Sequence, residues 1–261
     1  MKLAARIHLS FAAQAPLSTL FYALSAAVVG LALFPSGLLV LWGVRRLLLA
    51  AGEGSPPHAG QVLLFCLLLG GALYLFFLSG LILLGLLMRG LSLVVRPGRH
   101  EVFSAITLFW MAMNGVQTLA LRLILPVVPG GYLPTLYFRL AGCRIGRDVW
   151  ITGATILDPH LVSIGDGCVI GGDVVISPHI AGSGDLYLGP IAIGRDCRIG
   201  AHAVICAGVT VGDGATVGVR AFLRKGRHVP AGAAVAALGA LSARDVVEFQ
   251  NRSGRIRTRR G

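Results

Sequence analysis

The stretch IAIGRDCRIGAHAVICAGVTVGDGATVGVRAFLRKG, residues 191–226, carries an aliphatic side chain at every sixth position. These positions are Ile193, Ile199, Ile205, Val211, Val217 and Leu223. A compact residue lies two positions before each of the last five: Cys197, Ala203, Val209, Ala215 and Ala221. A helix repeats every 3.6 residues and a strand every 2, so a period of six matches neither. The period predicts a parallel β-helix, in which each hexapeptide forms one flat face of a three-sided coil.

The same period extends upstream and is interrupted once. Its upstream positions are Ile145, Ile151, Ile164, Ile170 and Ile176. The period then breaks over residues 177–187 and resumes at Leu188. A solenoid accommodates an insertion as a loop that projects from one edge, often on its binding face. The insertion contains His179, which makes this histidine the first candidate for a functional side chain.

The N-terminal half is far more apolar than a water-soluble domain. The chain has 261 residues, of which 55% are hydrophobic and only 13% charged, against about 25% charged residues in soluble proteins. Three apolar runs account for the excess: Pro16–Trp42, Val62–Met88 and Phe103–Val128. A bilayer crossing needs about 20 apolar residues, so each run is long enough. A signal peptide is not indicated, because the first run is too long and further runs follow it.

The basic residues predict how these runs are oriented. Met1–Arg6 and Arg89–His100 are basic, whereas the loop Ala51–Gln61 has one Glu and neither Lys nor Arg. The positive-inside rule places both basic segments in the cytoplasm, and two crossings satisfy this arrangement. We therefore expect a multi-pass protein of a bacterial-type inner membrane, with its repeat domain facing the cytoplasm.

Two features of the apolar half leave alternatives open. Arg45 and Arg46 approach the outer side, so they either snorkel to the interface or belong to a half-helix, Phe34–Leu49. Such a half-helix would be re-entrant or would lie on the membrane surface. The third run contains Arg122 and either lies along the membrane surface or crosses the membrane. A third crossing would place the repeat domain outside.

Charge and cysteine content narrow the range of partners. The net charge is +12, and five arginines lie within residues 251–261: Arg252, Arg255, Arg257, Arg259 and Arg260. This tail is expected to contact anionic lipid headgroups or to be solvated. Nucleic acid is not an expected partner, because the basic residues are not interleaved with stacking aromatics. The five cysteines form no C-x-x-C pair and are predicted to act as small hydrophobes, which suits a reducing cytosol.

Residues Gly142–Leu238 resemble the left-handed β-helix (hexapeptide-repeat) acyltransferases, which include maltose and galactoside O-acetyltransferases. The shared features are a loop that opens with histidine, the run I-G-x-x-x-x-I-G-x-x-A-x-I-x-x-G-V-x-V-G over residues 193–212, and a closing Val229-Pro230. The family's V-G-N-P-A-R ending is replaced by AALGAL at residues 236–241.

The layout of the whole chain is similar to a membrane-bound branch of this family. Apolar runs are followed by RPG at residues 96–98, YFRLAGCRIG at 137–146 and DPHLVSIGDG at 158–167. That branch includes the C-terminal region of poly-amino-acid synthetases related to nonribosomal peptide synthetases. The resemblance implies a fold of mixed class, an N-terminal transmembrane α-helical region followed by a C-terminal left-handed parallel β-helix.

These patterns divide the chain into four segments. We expect a membrane region with two or three apolar helical segments at residues 1–130 and a linker helix at 131–143. The β-helix acyltransferase domain is expected at 144–240 and the basic C-terminal tail at 241–261.

The resemblance implies transfer of an acyl group from a CoA thioester to a hydroxyl or an amine. His179 matches the family's catalytic histidine by position, and a neutral imidazole can remove the acceptor's proton. Such a base needs a partner that fixes its tautomer. Asp158 and Asp173 are both candidates, and Asp158 is favoured because it lies 21 residues earlier, about one coil away. His160 is either a solvated turn residue or part of the acceptor pocket.

The resemblance also implies a donor site, with acetyl-CoA or another acyl-CoA as the co-substrate. Small residues at Ala207 and Gly208 would leave room for the pantetheine arm. Cations suit the CoA phosphates, and the candidates are Arg220, Arg224, Lys225 and Arg227. Family members are trimers with the active site between subunits, and a short solenoid favours association, so a homotrimer is expected.

The acceptor and the catalytic class leave further alternatives. Membrane attachment favours a small-molecule, lipid-linked or saccharide acceptor, with membrane lipids as partners. The same solenoid hosts γ-class carbonic anhydrases, but their two metal-binding histidines five residues apart have no counterpart here, so no metal is expected. The remaining alternatives are a carrier-protein-dependent amide-forming enzyme and a catalytically silent, membrane-anchored scaffold.

Overall fold

A computed structural model describes residues 2–51, 58–101, 104–128, 131–182 and 184–236. The expected basic tail at 241–261, most of the Ala51–Gln61 loop and all but the first residue of the AALGAL segment lie outside these residues. The chain forms two compact units. The first comprises Met1–Arg96, His100–Pro129 and Leu136–Gly142, and the second comprises Pro97–Arg99, Gly130–Thr135 and Cys143–Gly261.

The apolar runs form long helices. These are α1 (Lys2–Ala51), α2 (Ala59–Ser92), α3 (Ala105–Leu119) and the short α4 (Tyr132–Leu140). A π-helical turn (Ala120–Ile124) and a 3-10 turn (Leu125–Val127) continue α3. Three stretches are long and apolar enough to cross a membrane: Ala26–Leu49, Ala59–Ser92 and Ala105–Val127.

The outward faces of these helices are apolar. Leu41, Leu48, Leu49 and Leu67 are each at least 65% exposed within the unit. An apolar surface of this extent is favourable against lipid rather than water. The prediction of apolar helices able to span a membrane is therefore confirmed at the level of length and composition.

Helix α1 passes through Pro35 without a break. Pro35 removes one backbone donor, and nearby Ser36 Oγ donates to the Leu33 carbonyl at 2.8 Å. Ser79 Oγ of α2 donates to the Ala32 carbonyl, also at 2.8 Å, so this turn is tied to its neighbour by a hydrogen bond. The alternative in which a separate half-helix begins at Phe34 is wrong, because these residues continue one helix.

The third apolar run satisfies its polar side chain internally. Gln117 is 2% exposed, and its side-chain oxygen accepts a hydrogen bond of 2.6 Å from the Tyr137 hydroxyl. Burial also raises the pKa of Tyr137. Gln117 therefore faces protein rather than the outer surface of the helix.

The second unit is built from short parallel strands. In chain order the strands of the protein are β1 (Gly98–Glu101), β2 (Arg144–Ile145), β3 (Trp150–Ile151), β4 (Thr155–Ile156), β5 (Val162–Ile164), β6 (Val169–Ile170), β7 (Val175–Ser177), β8 (His179–Ala181), β9 (Asp185–Leu188), β10 (Ile191–Ile193), β11 (Arg198–Ile199), β12 (Val204–Cys206), β13 (Thr210–Val211), β14 (Thr216–Val217), β15 (Phe222–Leu223), β16 (His228–Val229) and β17 (Ala234–Val235). A 3-10 turn at Pro159–Leu161 lies between β4 and β5.

Three parallel sheets form the faces of a coil. The first face has the order β2-β5-β10-β13-β16, the second β3-β6-β11-β14-β17 and the third β4-β7-β12-β15. Residues one coil apart pair in register, as Ile193 does with Ile164 below it and Val211 above it. The repeated parallel sheets are consistent with the left-handed β-helix that the sequence predicts.

The side chains of the six-residue period fill the interior of this coil. The aliphatic residues at positions 193–223 are at most 3% exposed, and the compact residues two positions before them are at most 2% exposed. Glycine is needed where coils approach closely: a β-carbon on Gly200 would lie 2.6 Å from the Val219 nitrogen. The predicted packing of the repeat is thus present in the structure.

The interruption of the period is a β-hairpin rather than an irregular loop. Strands β8 and β9 pair antiparallel, with His179 opposite Leu188 and Ile180 opposite Tyr187. The Gly182 N–H donates to the Asp185 carbonyl at 2.8 Å near the turn. The backbone groups of the two arms hydrogen-bond across this antiparallel pair.

Candidate active site

Most predicted site residues lie along one edge of the β-helix. We call it the His179 edge, and it consists of the four connections from the third face to the first: residues 157–161, 178–190, 207–209 and 224–227. Hydrogen bonds link these connections from coil to coil. They run from Gly208 N–H to the Gly189 carbonyl at 3.1 Å and from Gly226 N–H to the Ala207 carbonyl at 2.9 Å.

His179 and Asp158 are brought together at this edge. The His179 Nδ1 lies 2.5 Å from Asp158 Oδ2, and the carboxylate side chain is 2% exposed while the imidazole is 19% exposed. A carboxylate at this distance accepts the Nδ1–H and so fixes the tautomer in which Nε2 carries the lone pair. The pair therefore has the geometry of a general base and the group that orients it.

The backbone of Asp158 directs its carboxylate to this position. Asp158 has φ +43° and precedes the 3-10 turn that begins at Pro159. The left-handed conformation is tolerated by aspartate better than by most residues. Register completes the alignment, because Ile156 pairs with Ile176 and thereby sets Asp158 beneath the start of the hairpin.

The second carboxylate candidate, Asp173, does not reach His179. It lies in the connection from the second face to the third, and its Oδ2 is 3.9 Å from His202 Nδ1. Both side chains are more than half exposed. Asp158 is therefore the carboxylate that the structure associates with His179.

His160 lies two residues from Asp158 on the same edge. It belongs to the 3-10 turn, and neither of its ring nitrogens is accessible to solvent. The structure therefore does not show the solvated turn histidine that was one of the two alternatives.

Ala207 and Gly208 lie on the connection above the hairpin. Ala207 is fully buried, and Gly208 adopts φ +75°, a conformation that favours glycine. The absence of a side chain at Gly208 leaves the wall of the coil flat at this point.

Lys225 lies at the same edge and contacts an aromatic ring that the sequence analysis did not single out. Its Nζ is 3.5 Å from the centroid of the Tyr187 ring, a cation–π contact. Tyr187 belongs to the second arm of the hairpin. No local signal links the two residues, since they are 38 positions apart and meet only when the coils stack.

Of the three predicted arginines, Arg224 and Arg227 lie at the His179 edge and Arg220 lies at another edge. Arg224 belongs to the His179 edge and is exposed. Arg220 has φ +58° and forms the preceding corner, where its N–H donates to the Ala201 carbonyl at 2.9 Å. The structure thus groups Arg224 with Lys225 and places Arg220 one face away.

The cysteines behave as structural side chains. Cys168 and Cys197 are fully buried, and their thiols donate to the carbonyls of Gly194 and Gly212 at 2.9 and 3.1 Å. Burial raises the pKa of the Cys168 thiol to about 11. Within the part of the chain that the structure describes, no disulfide is formed and no three His, Cys, Asp or Glu side chains cluster as metal ligands.

Comparison with known proteins identifies the repeats. Residues 190–225 match the family described as "Bacterial transferase hexapeptide (six repeats)", and residues 161–180 match "Hexapeptide repeat of succinyl-transferase". These matches confirm the predicted resemblance to hexapeptide-repeat transferases over the β-helix.

Three individual proteins illustrate the similarity. Galactoside O-acetyltransferase of Escherichia coli is 34% identical over 101 residues, which cover 35% of this chain and 50% of that protein. Delta-poly-L-ornithine synthetase of Acinetobacter baumannii is 30% identical over 117 residues, covering 45% of this chain and 9% of that protein. A hexapeptide-repeat acetyltransferase of Vibrio cholerae, solved with acetyl-CoA, is 19% identical with a TM-score of 0.43, covering 56% of this chain and 92% of that one. The chain spans half or less of the length of these two curated relatives.

Proposed function

We propose that this protein is a membrane-associated acyltransferase of the hexapeptide-repeat type. It transfers an acetyl or longer acyl group from a CoA thioester to a hydroxyl or amine of a membrane-linked or saccharide acceptor. The observation that carries this proposal is the buried Asp158 carboxylate 2.5 Å from His179 Nδ1, on the edge where the repeat is interrupted. The similarity to galactoside O-acetyltransferase supports the reaction class.

His179 acts as the general base in this proposal. Its Nε2 removes the proton from the acceptor as the acceptor oxygen or nitrogen attacks the thioester carbonyl carbon. The new C–O or C–N bond forms, the C–S bond breaks, and the proton passes to the departing CoA sulfur. Asp158 holds the imidazole in one tautomer and stabilises the imidazolium that forms in between.

The donor site is assigned to the His179 edge above the hairpin. Ala207 and Gly208 offer a wall without projecting side chains, and Arg224 supplies positive charge on the next coil. Arginine binds phosphate through paired N–H donors. Arg220 lies at the neighbouring corner, so it is assigned to the CoA phosphates only because the family resemblance implies it.

The protein is further proposed to be a homotrimer with its β-helix in the cytoplasm. A single edge is not a pocket, and a second subunit would supply the opposite wall. The basic Arg89–His100 segment supports the cytoplasmic side. Light scattering of the detergent-solubilised protein tests the trimer. A C-terminal alkaline phosphatase fusion, inactive when cytoplasmic, tests the orientation.

The reaction is tested by substituting His179 in the full-length protein. The purified protein is incubated with acetyl-CoA and longer acyl-CoAs against lipid extracts, and thiol release and acylated products are measured. His179→Asn is expected to lower kcat by about 100-fold or more, because asparagine cannot accept the proton. Asp158→Asn is expected to give a smaller fall, because the tautomer is no longer held.

The matched control is His202→Asn on another edge of the same coil. His202 has φ +57°, which asparagine tolerates, and its side chain is half exposed. This variant is expected to retain the wild-type rate. Wild-type turnover by His179→Asn would contradict the assigned base. No transfer from any acyl-CoA would contradict the CoA donor and favour a carrier-protein thioester.

A further inference from the structure

A cation–π contact joins the hairpin to the last coils of the β-helix. The Lys225 ammonium lies 3.5 Å from the centroid of the Tyr187 ring. The ring also lies close to the backbone at two glycines. A β-carbon on Gly189 would be 2.8 Å from Tyr187 Cε1, and one on Gly208 would be 3.5 Å from the Tyr187 hydroxyl oxygen. Tyr187 is thus held against a surface without side chains, with Lys225 over its ring.

This contact is one residue away from the strand pair that holds His179. Tyr187 is followed by Leu188, which is 1% exposed and pairs directly with His179 across the hairpin. At the base of the hairpin, the Gly189 N–H donates to the Pro178 carbonyl at 2.8 Å. A displacement of Tyr187 is therefore transmitted to the backbone of His179 through the paired arm.

We infer that Lys225 and Tyr187 are positioning residues that hold the hairpin, and with it His179, against the β-helix. This inference rests on the proposed function and reassigns Lys225, which the sequence analysis placed among the phosphate-binding cations. An ammonium over the face of a tyrosine is partly removed from water and attracted by the ring.

Two pairs of variants separate positioning from phosphate binding. Lys225→Met and Tyr187→Leu remove the cation and the ring, whereas Lys225→Arg and Tyr187→Phe keep them. The first two are expected to lower kcat about 10-fold with the donor KM within about twofold, because a base displaced by about 1 Å loses rate. The last two are expected to stay near wild type. The double variant is expected to be no slower than either single one, because both remove the same contact.

The opposite kinetic result overturns the inference. If Lys225→Met raises the donor KM with kcat unchanged, while Tyr187→Leu leaves KM alone, Lys225 is a phosphate ligand. Arg198→Met removes an exposed cation from the second face and controls for the loss of charge. It is expected to change neither parameter.

A measurement without substrate keeps this inference separate from the proposed function. Hydrogen–deuterium exchange of peptides spanning residues 178–189 is compared between the variants and the wild type. Faster exchange is expected in Lys225→Met and Tyr187→Leu, and wild-type exchange in Lys225→Arg and Tyr187→Phe. Unchanged exchange in all four would overturn the inference even if the protein is an acyltransferase. Faster exchange with no acyl transfer would support the hairpin contact and contradict the proposed function.

Discussion

The helical region and the β-helix are both rich in aliphatic residues. The helices expose these side chains on their outer surfaces, whereas the β-helix buries them in its interior. In the helices, residues such as Leu41 and Leu67 are 68% and 65% exposed, whereas in the β-helix Ile205 and Leu223 are fully buried. The spacing of apolar residues along the chain explains why these side chains are exposed in the helices and buried in the β-helix. An apolar run with no polar stripe makes a helix apolar on every side, which suits lipid. A six-residue period directs one aliphatic side chain per face inward and leaves the outward positions to water.

The two regions also differ in where their titratable and charged side chains lie. Between Val62 and Met88 the titratable side chains are Cys66 and Tyr74, and no Asp, Glu, His, Lys or Arg is present. The β-helix has charged residues at its corners and its candidate catalytic pair at one edge. The proposed chemistry is therefore assigned to the region whose apolar residues are buried, and the proposed membrane attachment to the region whose apolar residues are exposed.

The largest expected stability difference compares an enclosed aliphatic residue with a displayed one. Ile205→Ala removes a fully buried side chain from the coil, and such substitutions cost about 2–5 kcal/mol of unfolding free energy. Leu67→Ala at a 65% exposed position is expected to cost much less, because no cavity forms. Thermal unfolding in detergent measures both. Equal losses would mean that Leu67 packs against protein.

The next comparison introduces an arginine on the outer surface of a helix and on the outer surface of the β-helix. Leu67→Arg places a guanidinium on the apolar helix α2, and in a bilayer this costs up to about 2.5–3.5 kcal/mol, the range for a helix centre. Val169→Arg changes an outward β-helix residue that is 46% exposed, and a surface change of this kind costs about 0.5 kcal/mol or less.

Membrane fractionation and thermal unfolding measure these two outcomes. Leu67→Arg is expected to reduce the membrane-inserted fraction, and Val169→Arg is expected to leave it unchanged. A strong effect of Val169→Arg would show that the second face of the β-helix is covered by a partner.

The smallest expected effect concerns a corner of the β-helix. The Arg195 backbone N–H and side chain donate to Asp213, with the ion pair at 3.1 Å, and these hydrogen bonds lower the pKa of that carboxyl. A lowered pKa in the folded state stabilises the protein above the carboxyl's unfolded pKa of about 4. The stabilisation is lost as the pH falls through the folded value.

Asp213→Asn is therefore expected to lower the thermal midpoint slightly at pH 7 and by less at about pH 3, below the carboxyl's unfolded pKa of about 4. Thermal unfolding at the two pH values, with and without added salt, measures this. A difference that is equally large at low pH would mean that Asp213 acts through packing or backbone geometry instead of charge.

Some of the site was accessible from the sequence and some was not. His179 was found because it lies inside the only interruption of a regular period, which is a local signal. The choice of Asp158 over Asp173 was weak, since each lies a plausible distance along the chain. The structure distinguishes the two carboxylates. Asp173, six residues before His179, lies at the preceding corner of the coil, whereas Asp158 lies on the coil below and contacts the His179 imidazole.

The hairpin and the Lys225 contact show the limit of local signals. The interruption of the period predicted a projecting loop, but the pairing of β8 with β9 depends on how the two arms meet. Lys225 was assigned to phosphate because it lies in a basic cluster, and only the stacked coils reveal Tyr187 beneath its ammonium.

The sequence by itself determined the two kinds of region, because a period of six and a long uncharged run each allow one way of placing aliphatic side chains. It also determined that the interruption of the period carries the candidate base. Only the tertiary structure decided which carboxylate orients that base, what form the insertion takes and which side chain holds it in place. Those contacts join residues 21 and 38 positions apart, and only the register of neighbouring coils sets their distances.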